Sequence, residues 1–169
     1  AVTIAKGSKL TSIGPKAFTD TGIKTITIPN TVKTIGWSAF VRSQLESITF
    51  EKPSQLTRIE EQAFQDTRLK AIEIPNQVTF IGGQACYKCS QLESLTFECG
   101  SALKVIEGMA FWGTGLYEVK PSVFPILVPD TVTEVSGRGR EKGHHPDWSD
   151  KYREKKREIG NGLSTIDGG

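Results

Sequence analysis

The sequence predicts an α/β solenoid, with parallel strands stacked along one wall and short helical or irregular turns along the other. Three observations predict it. Units of one plan recur: IKTITIPNTVKTIGWSAFVRSQ at 23–44, LESITFEKPSQLTRIEEQAFQDTR at 45–68, LKAIEIPNQVTFIGGQACYKCSQ at 69–91 and LESLTFECGSALKVIEGMAFWGTG at 92–115. Each opens with apolar residues at positions 1, 4 and 6, as in Ile23, Ile26, Ile28 and then Leu45, Ile48, Phe50. Each closes on one landmark: Ala17-Phe18, Ala39-Phe40, Ala63-Phe64, Ala85-Cys86 and Ala110-Phe111, separated by 22, 24, 22 and 25 residues. A period of this size marks a stacked array in which no unit buries its apolar face alone.

The strands come first in each unit. By the period of two, Ile26 and Ile28 face one way while Thr25 and Thr27 face the other. The expected core column is Ile26, Ile48, Ile72 and Leu95. Short and long units alternate, and they differ at the corner after the strand. The short type carries Ile28-Pro29-Asn30 and Ile74-Pro75-Asn76. There Pro is expected at turn position i+1 and Asn in the left-handed region at i+2. The long type fills the same corner with Glu51-Lys52-Pro53-Ser54 or Glu98-Cys99-Gly100-Ser101. The Ile-Gly-x-x-Ala-Phe segment is expected to make a single helical turn. Gly36 and Gly82 break any longer helical pattern, and Phe18, Phe40, Phe64 and Phe111 form the spine of that wall.

Two regions mark the ends. Ala1-Val2-Thr3-Ile4 aligns with Ser47-Ile48-Thr49-Phe50, so the chain is expected to begin inside a strand, as a mature product or a piece of a longer array would. After Leu116 the pattern falters, then Val128-Pro129-Asp130-Thr131-Val132 matches Ile28–Val32. The expected organisation is a solenoid over 1–136, about five units plus a degenerate sixth, and a charged Gly-rich tail over 137–169. The tail carries one expected helix over 147–159, either a terminal cap or loose.

Composition excludes rather than selects. With 37% hydrophobic and 24% charged residues the chain is ordinary for a folded domain. Its net charge of +2 argues for no nucleic-acid partner, and the eight basic and six acidic residues of 137–169 account for the whole excess. No apolar run approaches the ~18–20 residues of a membrane span, and no secretory leader is recognisable at Ala1. No nucleophile elbow, phosphate-cradling glycine loop or paired-carboxylate motif is present, which argues against an enzyme, and no cofactor is expected.

Four groups of residues are candidate sites. The first is the outward strand face. Position 2 carries Lys24, Glu46, Lys70 and Glu93, alternating in sign; position 3 carries Thr25, Ser47, Ala71 and Ser94; position 5 carries Thr27, Thr49, Glu73 and Thr96. Opposite charges ~4.8 Å apart on adjacent strands would hold the register. The face is broad, shallow and short in side chain, suited to a protein or glycan partner, and it lacks aromatic and Arg anchors. Equally, such residues suit a packed ladder. The second is Cys86-Tyr87-Lys88-Cys89, read as two core thiols, bridged or free, because zinc needs four ligands and no second pair follows. Cys99 lies in a corner and is expected free. The third, His144-His145 with Asp147, and the fourth, the basic run Lys151–Arg157, read as solvated tail against weak metal or nucleic-acid sites.

The alternation of IPNTVKTIGWSAF-type and FEKPSQLTRIEEQAF-type units closely resembles the BspA-like leucine-rich repeats, over roughly residues 1–136. That resemblance implies a leucine-rich-repeat solenoid with its parallel sheet on the concave side. It also implies a non-enzymatic adhesion or protein-binding module of a cell-surface or secreted protein, with neighbouring repeats in a longer array. The alternative is an intracellular scaffold built on the same solenoid. The wider leucine-rich pattern carries Asn at position 9, where this chain has Thr31, Pro53, Gln77 and Gly100. Its corners must therefore satisfy their backbone in another way. The family's Cys after the landmark occurs once, as Cys89.

Overall fold

The computed structural model describes residues 2, 4–5, 7–117 and 129–135. The chain winds as a parallel β-solenoid. Its four-residue strands β2 (Thr25–Ile28), β4 (Ser47–Phe50), β6 (Ala71–Ile74) and β8 (Ser94–Phe97) form the front wall. A second ladder was not expected from the sequence. The two-residue strands β1 (Ser12–Ile13), β3 (Thr34–Ile35), β5 (Arg58–Ile59), β7 (Phe80–Ile81), β9 (Val105–Ile106) and β10 (Glu134–Val135) form one six-stranded parallel sheet in that order. Its inward residues Ile13, Ile35, Ile59, Ile81 and Ile106 are all buried. Val132 is buried as well, and its amide donates to Pro129 O as that of Val32 does to Pro29 O. Over the described residues 129–132, the expected match to 29–32 therefore recurs at the corner. The start also matches, because Val2 bridges Ile26 in parallel.

On the front wall β2 pairs β4 with Ile26 opposite Ile48, and β6 pairs β8 with Ile72 opposite Leu95. The expected single column is thus built as two two-stranded sheets. Ile48, at the junction, is half-buried where full burial was expected.

The wall carrying the Ala-Phe landmarks differs most from expectation. Among the described residues the only helix is a 3-10 turn at Gly115–Tyr117, so the α/β assignment and its helical turns do not hold. Consecutive β-turns take their place. Ala39 N donates to Gly36 O, Val41 N to Ser38 O and Ser43 N to Phe40 O. The alternate amides of Ser38, Phe40 and Arg42 donate to Glu61 O, Ala63 O and Gln65 O of the next coil, at 3.0, 2.8 and 3.0 Å. A helical turn would spend those amides within its own coil. Here they stitch coils together, and buried backbone groups must find partners somewhere.

This stitching places non-glycine residues in the left-handed region. Lys16, Asp20, Ser38, Arg42, Gln62, Asp66, Gln84, Lys88 and Met109 have φ of 51–59°, a conformation costing on the order of 1 kcal/mol each for an L side chain. The amides of the first eight each donate to a carbonyl of the following coil, which offsets the strain. Gly113 takes the same column position with φ 71°. Replacing exposed Lys88 with glycine should therefore raise stability by up to about 1 kcal/mol, against the usual sign for glycine. Chemical denaturation checks it, and a loss of stability would refute the assignment of strain.

The two interior glycines serve packing, and not helix breaking as expected. A Cβ on Gly36 would lie 2.8 Å from Ile13 O, and one on Gly82 would lie 2.5 Å from Glu61 N. Asn30 also departs from expectation. The turn runs from Pro29 O to Val32 N, so Pro29 is its first residue, and Asn30 is absent from the positive-φ set.

The core is one continuous cluster from Ile13 to Val132. Phe18 and Phe40 stack at 5.1 Å, Phe40 and Phe64 at 5.5 Å. Phe40, Phe64 and Phe111 are fully buried, Cys86 fills the remaining place in the spine, and Phe18 is half-buried. The expected tail over 137–169, with His144, His145, Asp147 and the Lys151–Arg157 run, lies outside the described residues.

Candidate functional site

The outward strand face is built as the residue period requires. In β2 and β4, Thr25 sits opposite Ser47 and Thr27 opposite Thr49; in β6 and β8, Ala71 sits opposite Ser94 and Glu73 opposite Thr96. All eight are exposed except Ser94, which is half-buried. Their inward neighbours Ile26, Ile28, Ile72, Ile74 and Leu95 are buried, so the face rests on a packed core and its short side chains are held by rigid elements.

The charged column beside it forms only in part. Lys24 Nζ lies 3.7 Å from Glu46 Oε1, while among the described residues no bridge joins Lys70 to Glu93. Glu73 is engaged from the corner, where Lys52 Nζ reaches its Oε2 at 3.1 Å and Glu98 Oε1 at 2.7 Å. Glu98 is held below the ordinary carboxylate range by Lys52 and by the Asn76 amide, which donates to its Oε2 at 2.9 Å. The same arrangement places Glu51 Oε2 3.3 Å from the Asn30 amide. Long-unit glutamates thus cap short-unit corners, and Ser8, Ser54 and Ser101 accept from the amide two residues on. These contacts do the work of the missing Asn ladder.

A second alternating charge column lies on the landmark wall, where side-chain direction is not readable from the sequence. Asp20, Arg42, Asp66 and Lys88 occupy equivalent left-handed positions, and Arg42 binds Asp20 through two hydrogen bonds of 2.7 Å. A polar ladder runs beside it from Ser38 Oγ to Gln62 Oε1 and from Gln62 Nε2 to Gln84 Oε1.

Cys86 and Cys89 are free and buried, and Cys99 is free and exposed. Cys89 Sγ donates to Phe64 O at 2.9 Å and lies 3.2 Å from Thr67 Oγ1. Its hydrogen bond to Cys89 and its burial raise the Cys86 thiol well above the ordinary range. Among the described residues no cluster of three or more His, Cys, Asp or Glu is placed to hold a metal.

One exposed feature escaped the sequence reading. Trp37 is 42% exposed, with Lys16 Nζ 4.4 Å from its ring centroid. The available signal was an indole at a position where the other coils hold Pro15, Glu61, Gly83 and Gly108.

Comparison with known proteins settles the lineage. The BspA-type leucine-rich repeat region matches residues 2–122 in six copies. The chain belongs to the BspA-type leucine-rich repeat family. This BspA-type chain is similar to the pneumococcal vaccine antigen PcpA, at 27% identity over 75% of its own length with a TM-score of 0.64. It spans 32% of the PcpA chain. A leucine-rich cell surface protein of Faecalibacterium prausnitzii A2-165 aligns over 75% of this chain and 39% of its own, at 24% identity and a TM-score of 0.48. A leucine-rich repeat protein of T. pallidum aligns over 80% and 68%, at 18% and 0.43. No curated protein matches in sequence. Among the described residues no helix of this BspA-type repeat is long and apolar enough to cross a membrane.

Proposed function

We propose that this BspA-type repeat is a non-enzymatic protein-binding module of a cell-surface or secreted protein, working through residues 1–136, with 137–169 as a separate segment. The observation that carries the reading is the outward face of β2, β4, β6 and β8. Thr25, Ser47 and Ala71, then Thr27, Thr49, Glu73 and Thr96, stand exposed on a packed core, in register within each strand pair. The likeness to PcpA supports placing it among surface antigens. Each short side chain contributes a weak contact, so useful affinity needs several coils at once, and the smooth face brings a partner close to the backbone.

The experiment is capture of candidate surface proteins by the immobilised chain and by a Thr27→Arg, Thr49→Arg, Thr96→Arg variant. These side chains point away from the core, so the variant should fold with its circular dichroism and melting temperature nearly unchanged. Bulk and charge together should abolish capture. Undiminished capture by a folded variant would move the site off this face.

A further inference from the structure

Trp37 and an open glycine beside it define a second, unassigned site, away from the strand face. Among the described residues the large apolar side chains more than a third exposed are Val2, Leu10 and Trp37. Val2 and Leu10 lie in the first coil, whereas Trp37 projects from the second, with coils on both sides. Pro15, Glu61, Gly83 and Gly108 hold its position elsewhere, so the fold asks for no indole there. Trp37 lines a groove of about 510 Å³, within the roughly 300–1,000 Å³ typical of small-ligand sites. Ser12, Thr34, Glu60 and Glu61 also line it, together with Gly14 and Gly36, which carry no side chain.

Gly14 is a separate observation. Gly36 and Gly82 are bare because a Cβ would strike the preceding coil, but a Cβ on Gly14 meets nothing within 4 Å and its φ is ordinary. The equivalent residues of the long-type units at 45–68 and 92–115 are Glu60 and Glu107, so the fold accepts a side chain at this place. Glycine there costs conformational entropy without a packing reason. Its effect is to leave the groove open in front of Trp37.

The chemistry narrows the ligand. Lys16 over the indole and Arg58, which holds Glu60 through Nε at 2.6 Å and Nη2 at 3.3 Å, balance the two carboxylates, so the groove favours neither an anion nor a cation. An aromatic face flanked by hydroxyls and a fixed carboxylate suits a neutral molecule with a flat C–H face and a rim of hydroxyls. We propose that this groove binds a β-1,4-linked oligosaccharide of glucose or N-acetylglucosamine, whose all-equatorial rings present such faces, stacking a ring on Trp37 and donating hydroxyls to Glu60 and Glu61.

Calorimetric titration of the full chain with cellotetraose and with tetra-N-acetylchitotetraose tests it, with α-linked maltotetraose and a proline-rich peptide as controls. Saturable binding of at least one β-linked probe is expected. Trp37→Ala and Gly14→Gln should each weaken it by about tenfold or more, equivalent to about 1.4 kcal/mol, with an unchanged melting temperature. Should Trp37→Ala fail to fold, Gly14→Gln decides. No saturable heat from either β-linked probe, full binding by the folded variants, or equal binding of a control would overturn the proposal.

Discussion

Truncating Phe64 to alanine should destabilise the solenoid by about 3–5 kcal/mol. Phe64 is fully buried and stacks on Phe40 at 5.5 Å, and its amide is tied to Ala85 O of the next coil at 2.7 Å. The cavity cannot collapse easily, because coils on both sides are fixed by hydrogen bonds around three walls. In a one-dimensional array each coil touches only its neighbours, so a defect at the third coil weakens two interfaces. Phe18→Ala, at the half-buried end of the same stack, should cost clearly less. Equilibrium denaturation measures both; a Phe64→Ala loss below about 1 kcal/mol, outside the range for a buried Phe, would contradict the packing described.

The second large effect comes from adding one methyl group. Gly82→Ala places a Cβ 2.5 Å from Glu61 N, 2.8 Å from Glu60 C and 2.9 Å from Glu61 Cα. All three are backbone atoms, so relief requires two coils to separate. Overpacking of this kind costs about 1–3 kcal/mol and occasionally more, and the upper part of that range is expected. Gly14→Ala is the control. Its Cβ meets nothing, so the change should be neutral or stabilising by up to about 1 kcal/mol through the unfolded chain. Equal losses at both positions would mean that backbone contact between coils is not what selects glycine at 82.

These two residues show what was legible. The spine was readable because Ala-Phe recurs at a fixed step, and a recurrent large apolar residue in a solenoid has nowhere to go but inward. The strand face was readable for the same reason, through the period of two in TITI and SITF. The role of Gly82 was misread, because in one dimension a glycine that ends a helix and a glycine that lets two backbones meet look alike. The turn ladder was hidden more deeply. Lys16, Ser38, Gln62 and Gln84 carry no propensity for the left-handed region; tertiary hydrogen bonds impose it, and no local rule anticipates that. The second sheet escaped because two-residue strands such as Thr34–Ile35 are too short to show alternation. Of the candidate surfaces, the outward strand face is legible through its period of two, whereas Trp37 stands out only against its equivalents in the other coils.

The glutamate caps carry a consequence for how such an array can change length. Glu51 serves the corner at Asn30 and Glu98 the corner at Asn76, and the close-approach glycines Gly36 and Gly82 both sit in short coils. The heritable module is therefore a dyad of one short and one long coil. Duplication or loss of a dyad preserves every cap and every close approach. Gain or loss of one coil sets two coils of the same type side by side, leaving a corner amide without its carboxylate or a glutamate where a backbone must pass. Crossover between misaligned copies of the gene should accordingly yield viable products in steps of two coils, and length variants of this architecture should differ by even numbers.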